Sequence, residues 1–284
     1  MGISGGPQII RDTSLVLALE ASDQNSNNRY QGRNWIDLSG NNNSGSIING
    51  ASLNNDSYGS FNFNGINSYI SIARTIQDDF TLSCWFKTTQ NVGSGFWYNG
   101  VGLIDGEVPG NANDFGLAVV GGKIHFGVGN PVTPYDLSIA SPASYNDNIW
   151  HQATATRVKS TGAMNLYMDG ISVVTGTGNT GSLTSPPSLR IGSIQTGTST
   201  GFLSGSISTV QIYNRALSAA EIQSNYNQYK TRFNRTTPNI VTYTSLNTTT
   251  AIESFNDVLE FANVLVGYPS YETANAVALV NETP

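Results

Sequence analysis

The chain has 284 residues, 38% of them apolar and 11% charged, with 30 Gly and a formal net charge of −6. An average globular chain carries about 25% charged residues, so polarity here comes from Asn, Ser, Thr and Gly, a composition of many strands and turns rather than long helices. The acidic balance and the lack of Lys/Arg runs exclude nucleic acid and acidic membranes as partners. No stretch is apolar enough to insert in a bilayer, and a lone Cys84 excludes an intrachain disulfide.

Residues 1–13 read as an N-terminal arm. Gly2-Ile3-Ser4-Gly5-Gly6 has nucleophile-elbow spacing, but that chemistry needs a strand before the Ser and a helix after it. The same opening lacks a charged region followed by an apolar one, so no secretory signal is expected. Leu15, Leu17 and Leu19 alternate with Val16 and Ala18, which predicts a strand over Ser14–Glu20 buried on both faces. Asp23, Asn25 and Asn27 are spaced like the first ligands of a calcium loop. The sixth position is Asn28 instead of Gly and the twelfth is Asn34 instead of Glu, so a polar loop is the better reading. Trp35 reads as a core aromatic whose indole N–H meets backbone, and Asp37 as a turn cap.

Phe61, Phe63, Ile70 and Ile72 flank a turn at Asn64–Asn67, a hairpin. Phe80, Leu82, Cys84 and Phe86 share one strand face, which makes Cys84 a buried small hydrophobe; Trp85 lies on the other, more open face. Phe115–Val119 and Lys123–Val128 pair around Gly121-Gly122, and Trp150–Lys159, Met164–Met168 and Ile171–Thr175 form a meander turning at Asp169-Gly170. Gly176, Gly178 and Gly181 match a dinucleotide fingerprint. They run into Ser-Leu-Thr-Ser-Pro-Pro, which cannot open a helix, so no phosphate site is built. Leu189–Ile194 is a further strand.

Ile207, Val210 and Ile212 mark the last strand. Ser218 and Glu221 then form a capping box, and Leu217 and Ile222 a hydrophobic staple. A strand followed by a doubly fixed helix is a closing element that needs a sheet to lie against. Beyond Phe233 the chain is Thr-rich, and Thr250 and Glu253 repeat the capping box. Residues 234–284 are therefore a C-terminal extension with an amphipathic helix, in which Ile252, Phe255, Leu259 and Leu265 are candidate assembly residues, packing in cis or in trans.

The ending GFLSGSISTVQIYNRALSAAEIQSNYNQY resembles the last strand and closing helix of laminin-G-like, concanavalin-A-like jelly-roll domains. The resemblance extends back through LYMDGISVV, NIWHQATATR, FTLSCWFKTT and NWIDLSGNNNSGSI. It implies one all-β, two-sheet antiparallel sandwich over residues 14–233. Glucanases of this fold carry Glu-x-Asp-x-x-Glu on one strand; this chain has no such string. His125 and His151 lack neighbouring ligands at metal spacing. The expectation is a protein that is not an enzyme and needs no cofactor. Many relatives carry an acidic pair where this chain has Ser208 and Thr209, and an Asp where it has Asn64, which weighs against a structural calcium without closing the question.

The richest binding segment is Gly93–Asp114. Aromatic faces stack on sugar rings while amides and carboxylates exchange hydrogen bonds with hydroxyls. The candidate glycan contacts are Trp97, Tyr98, Asn99, Asp105, Glu107, Asn111, Asn113, Asp114 and, in a second loop, Tyr135. The alternative is that Phe96-Trp97-Tyr98 plugs the core or a subunit contact; the abundance of aromatics in sandwich cores favours it.

Pro7, Ile9 and Ile10 before SLVLALEAS, followed by the Trp35 segment, resemble lectin-like domains in bacteriophage structural proteins. That resemblance implies a virion surface component of head, tail or fibre, assembled in the host cytoplasm as a homo-oligomer with other virion subunits and able to bind cell-surface glycans. A free carbohydrate-binding module of a cellular protein is the alternative, and a glycoside hydrolase a further one.

Overall fold

The computed structural model describes residues 9–27, 33–54, 59–110, 113–130, 136–195 and 201–233. The chain divides into two units, Met1–Arg235 and Thr236–Pro284. The assembly candidates Ile252, Phe255, Leu259 and Leu265 lie outside the described residues, as do the glycan candidates Asn111 and Tyr135.

In chain order the elements are β1 (Leu15–Glu20), α1 (Gln24–Asn27), β2 (Asn34–Trp35), β3 (Gly45–Ile48), β4 (Ser52–Asn54), β5 (Ser60–Asn64), β6 (Tyr69–Ala73) and β7 (Phe80–Thr88). After a short 3-10 turn at Trp97–Asn99 come β8 (Val101–Asp105), β9 (Phe115–Val120), β10 (Lys123–Gly129), β11 (Asp136–Ser144) and β12 (His151–Val158). The last are β13 (Ala163–Met168), β14 (Ile171–Thr177), β15 (Ser188–Ile191), β16 (Ser204–Tyr213) and α2 (Ala219–Phe233). They build two antiparallel sheets. One runs β14-β13-β12-β7-β16-β5-β4, with β1 also on β16; the other runs β11-β10-β9-β8-β15-β6-β3-β2. This is the expected all-β sandwich.

The core lies between the sheets. Phe80, Leu82, Cys84 and Phe86 of β7 and Ile207, Val210 and Ile212 of β16 join one cluster with Leu117, Val119, Ile124 and Phe126 of the other sheet. Period-two alternation puts these side chains on one face of each strand, except that a register shift between Ile207 and Thr209 of β16 brings Ile207 onto the same face as Val210 and Ile212. The β9–β10 and β13–β14 hairpins turn on pairs with positive φ, Gly121 (57°) with Gly122 (79°) and Asp169 (51°) with Gly170 (79°), the backbone that matches strand twist.

A second cluster covers the outer face of the first sheet. The closing helix α2 starts at the expected box: Ser218 N donates to Glu221 Oε2 (2.8 Å) and Glu221 N to Ser218 Oγ (3.4 Å). Leu217 and Ile222 are buried in that cluster with Trp85, Tyr229 and Phe233. The Trp85 face, expected to be open, is therefore closed. Trp85 is fully buried, stacked between Tyr226 (5.5 Å) and Phe233 (4.2 Å), because α2 folds back across β7.

Five local readings change or sharpen. The hairpin expected around Asn64–Asn67 does not form: β5 pairs with β4 and β16 in one sheet and β6 with β3 and β15 in the other, so this turn crosses between the sheets and Phe61, Phe63, Ile70 and Ile72 enter the core from opposite layers. Residues 9–13 are docked and do not behave as an arm: Ile9 is buried, Ile10 N donates to Asn225 Oδ1 (2.8 Å) and Tyr213 Oη donates to Ile10 O (3.0 Å). Asp23 caps α1 by accepting from Asn25 N (2.8 Å), which accounts for the calcium-like spacing. Trp35 is fully buried as expected, but its Nε1 meets no acceptor among the described residues. Asp37 caps its turn, accepting from Ser39 N (2.8 Å) and Asn43 N (2.9 Å), and also holds β1 through Ala18 N (2.9 Å).

Candidate functional site

The segment carrying most of the candidate residues crosses the outer face of the second sheet. Leu117, Val119, Ile124 and Phe126 face the core, so Gly116, Ala118, His125 and Gly127 face out. Gly116 and Gly127 sit directly opposite each other across the β9–β10 ladder. On that bare pair lies Trp97, fully buried with Ala118, Val120 and Ile194. A Cβ on Gly127 would stand 1.9 Å from Trp97 Cε3, and one on Gly116 would stand 2.4 Å from Cδ1.

Burial removes Trp97 from the set of exposed sugar platforms; it is the plug of the alternative reading. Its neighbours in the 3-10 turn face the other way. Phe96 is 39% exposed, Tyr98 is half-buried, and their rings stack at 5.5 Å and 4°. Tyr98 packs edge-on to Trp97 at 5.0 Å, and its hydroxyl lies near the carboxylate of Asp136 at the start of β11. Burial, then the charges of Asp136 and Glu107, keeps the Tyr98 hydroxyl protonated by raising its pKa. Asn99 is exposed, its Nδ2 donating to Ser94 O (2.9 Å). The exposed aromatic surface is thus Phe96 with Tyr98, and Phe96 was not among the chosen contacts.

The carboxylates of the segment are interior. The stretch holding Asp105 forms β8, a strand buried along its whole length. Asp105 is fully buried, and its Oδ2 accepts from Glu107 N (3.0 Å) and Gln195 N (3.0 Å). Its Oδ1 has no partner among the described residues and lies, like Trp97 Nε1, beside the Cα of Gly116. Burial pushes the Asp105 carboxyl up to about 8. Glu107 and Asp114 are also buried, close enough that each shifts the titration of the other. Burial raises both above the usual carboxylate range; the charges of Asp114 and Asp105 add to the rise at Glu107, whereas at Asp114 the interactions with Val108 N and Glu107 oppose it. Asp114 Oδ2 also accepts from Val108 N (2.8 Å). Half-buried Asn113 accepts from Ser185 N at its carbonyl (2.9 Å), pinning the segment. Asp105, Glu107 and Asp114 therefore shape the segment from inside and do not offer free acceptors to a sugar.

This arrangement is unlike a glycosidase centre. Hydrolytic carboxylates flank the scissile bond across an open cleft, with a gap of about 5–9 Å between them, whereas Glu107 and Asp114 are covered. The histidines are placed otherwise as well. His125 is buried on the outer face of β10, and His151 is bonded to Asp169 (2.8 Å) and Asp147 (3.2 Å).

At the positions where relatives carry an acidic pair, the residues do not fit calcium. Ser208 Oγ accepts from the guanidinium of Arg232 (2.6 Å), which also pairs with Glu20 (2.9 Å), and Thr209 is fully buried. A fixed cation already occupies that corner. Among the described residues no group of three or more His, Cys, Asp or Glu is placed to hold a metal ion.

Residues 63–223, from β5 to the first turn of α2, match the family model described as the concanavalin A-like lectin/glucanases superfamily. The chain belongs to that superfamily. No curated protein sequence matches it. Among solved structures, this superfamily member is similar to the binding domain of Paraclostridial Mosquitocidal Protein 1, with TM-score 0.56 and 16% identity over 76% of this chain and 52% of that one. It is likewise similar to the receptor binding domain of botulinum neurotoxin C/D mosaic serotype, with TM-score 0.57 and 16% identity over 75% and 51% of the two chains. A third is the binding domain of botulinum neurotoxin DC in complex with SialylT, with TM-score 0.56 and 16% identity over 75% and 51%. At these identities the likeness is one of fold. The chain spans about half the length of these binding domains.

Proposed function

We propose that the chain is a non-catalytic, lectin-like recognition module that binds glycans through the Phe96–Tyr98 platform. The observation carrying this is the exposed Phe96 ring stacked parallel on the half-buried Tyr98, with a fully buried Trp97 packed against Tyr98. Rigid aromatic surface gives contact area at little ordering cost, which suits weak, repeated contacts with sugar rings. The superfamily membership supports the ligand class, and the covered Glu107–Asp114 pair argues against hydrolysis. The test is a glycan array on the parent chain and on Phe96→Ala. Equal binding by both, or none by either, removes the platform; hydrolysis of β-glucans above background removes the non-enzymatic reading.

The same proposal extends to display on a phage particle, as a head-surface, tail or fibre component joined to other virion subunits and homo-oligomeric. Its support is the likeness of the Ile9–Ile10, β1 and Trp35 segments to lectin-like domains of phage structural proteins, together with the apolar pattern of the C-terminal extension. Size exclusion of the full chain against one ending at Phe233 tests assembly: identical monomers overturn an oligomerising role for the extension. Capsid or tail genes beside this one are expected; a cellular operon favours the free carbohydrate-binding module instead.

A further inference from the structure

A pocket of about 570 Å³ opens at one end of the sandwich, where the β6–β7, β12–β13 and post-β14 connections meet the residue after β16. That volume falls in the range of about 300–1,000 Å³ typical of small-molecule sites. Its residues are not those of the Phe96–Tyr98 platform. We propose that this pocket is a second binding site, for a single neutral saccharide unit.

The walls are fixed from behind. The guanidinium of Arg157, fully buried, donates to the carbonyls of Asp78, Asn179 (2.7 Å) and Gly181 (2.6 Å), tying two of the connections together. Leu183 N donates to Gln77 O (2.8 Å), and Arg74 Nε donates to Pro186 O (2.6 Å). Lys159 N donates to Asp79 Oδ1 (2.7 Å), while its Nζ donates to Ser182 Oγ (2.8 Å) and lies 3.2 Å from Asp78 Oδ1. The charges are therefore spent on each other and on backbone. A ligand would meet a preorganised surface with little net charge of its own.

What remains for a ligand is uncharged and amphiprotic. Gln77, Ser160, Thr180 and Asn214 line the pocket with exposed amides and hydroxyls, and Thr75 Oγ1 is buried with no partner among the described residues. Each of these groups both donates and accepts, as a sugar hydroxyl does. An anion would meet Asp78 and Asp79, and no unpaired cation. A flat apolar ligand would find only Ile76, which is buried. A polyhydroxylated neutral ring satisfies the whole set. The proposal shares its ligand class with the function given above but rests on different residues.

The test is amide chemical-shift mapping of the ¹⁵N-labelled full chain during titration with the methyl glycosides of glucose, galactose, mannose and N-acetylglucosamine. Saturating shifts are expected at Gln77, Asp78, Ser160, Thr180 and Asn214, with a Kd of about 1 mM. The double variant Gln77→Ala/Asn214→Ala, altering only exposed side chains, is expected to weaken binding about tenfold with Tm unchanged, and Phe96→Ala to leave these shifts intact. Shifts confined to Phe96–Asn99, or a double variant that binds as the parent does, overturn the pocket and leave the platform standing. No shift at any amide with any glycoside overturns both.

Discussion

The indole of Trp97 rests on the bare Cα of Gly127, so close that a single added methyl there would lie 1.9 Å from its ring. This contact decides which aromatic of Phe96-Trp97-Tyr98 faces solvent. Gly127→Ala is expected to lift the indole, costing about 1–3 kcal/mol and shifting tryptophan emission to the red. Thermal melts and fluorescence check it; unchanged stability would mean that the 3-10 turn is not anchored through the glycine pair.

Phe96→Ala, in contrast, removes an exposed ring. Stability is expected to stay within about 0.5 kcal/mol of the parent, with glycan affinity falling about tenfold, the scale of one lost stacking contact. Tyr98→Phe keeps the ring and removes the hydroxyl that lies near Asp136. It is expected to leave the stacking and loosen the segment, seen as faster amide exchange at Tyr98 and Asn99.

The buried carboxyls set a pH dependence. Asp105, Glu107 and Asp114 have folded pKa values above their unfolded ones, because burial penalises charge. The folded chain then holds more protons than the unfolded chain at intermediate pH. Their contribution is fully present below pH about 4 and is lost as pH rises towards 8 and above. Asp105→Asn, neutral at every pH, is expected to raise Tm by a few degrees at pH 9 and to change it little at pH 5. Equal effects at both would contradict the protonated state of Asp105.

The closing helix has the opposite sign. Glu221 and Asp12 are each held down to about 2, Glu221 chiefly by its bonds to Arg215 and Asp12 by Ser14 and then Arg215. Depressed carboxylates stabilise above their unfolded values and lose that contribution as pH falls from about 4 to 2. Both are largely solvated, so the effect is modest. Glu221→Gln is expected to cost up to about 1 kcal/mol at pH 7 and to flatten the acid limb of a stability–pH profile between pH 4 and 2.

Cys84 is fully buried in the main core, where burial pushes its thiol far above the ordinary value. It is expected to resist a thiol reagent such as iodoacetamide in the native chain and to react at once in denaturant. Rapid native labelling would mean that β7 opens readily.

Much of the architecture was legible because its determinants are local. Alternation along Phe80–Phe86, the glycines at 121 and 122, Asp169-Gly170 and the Ser218–Glu221 box each act within a few residues, and each forms as expected. The two-residue turn at Gly121-Gly122 even implies that Gly116 faces Gly127, a sign that something large lies over them. Other elements gave little local signal. β8 is short and flanked by glycines; β11 is a half-exposed edge strand containing Pro142, tolerated there because an edge leaves ladder donors unused.

Sequence alone therefore determined the all-β sandwich, the β9–β10 and β13–β14 hairpins and the capped closing helix, since period and turn chemistry act between near neighbours; the turn at Asn64–Asn67 was not settled that way, because which sheet each flanking strand joins depends on distant partners. Only the tertiary structure decided that Trp97 is anchor and Phe96 platform, that Asp105, Glu107 and Asp114 are interior acids, and that Trp85 lies under α2. Each of those outcomes depends on which distant surface comes to lie against a side chain, and exposure and charge state follow from that packing.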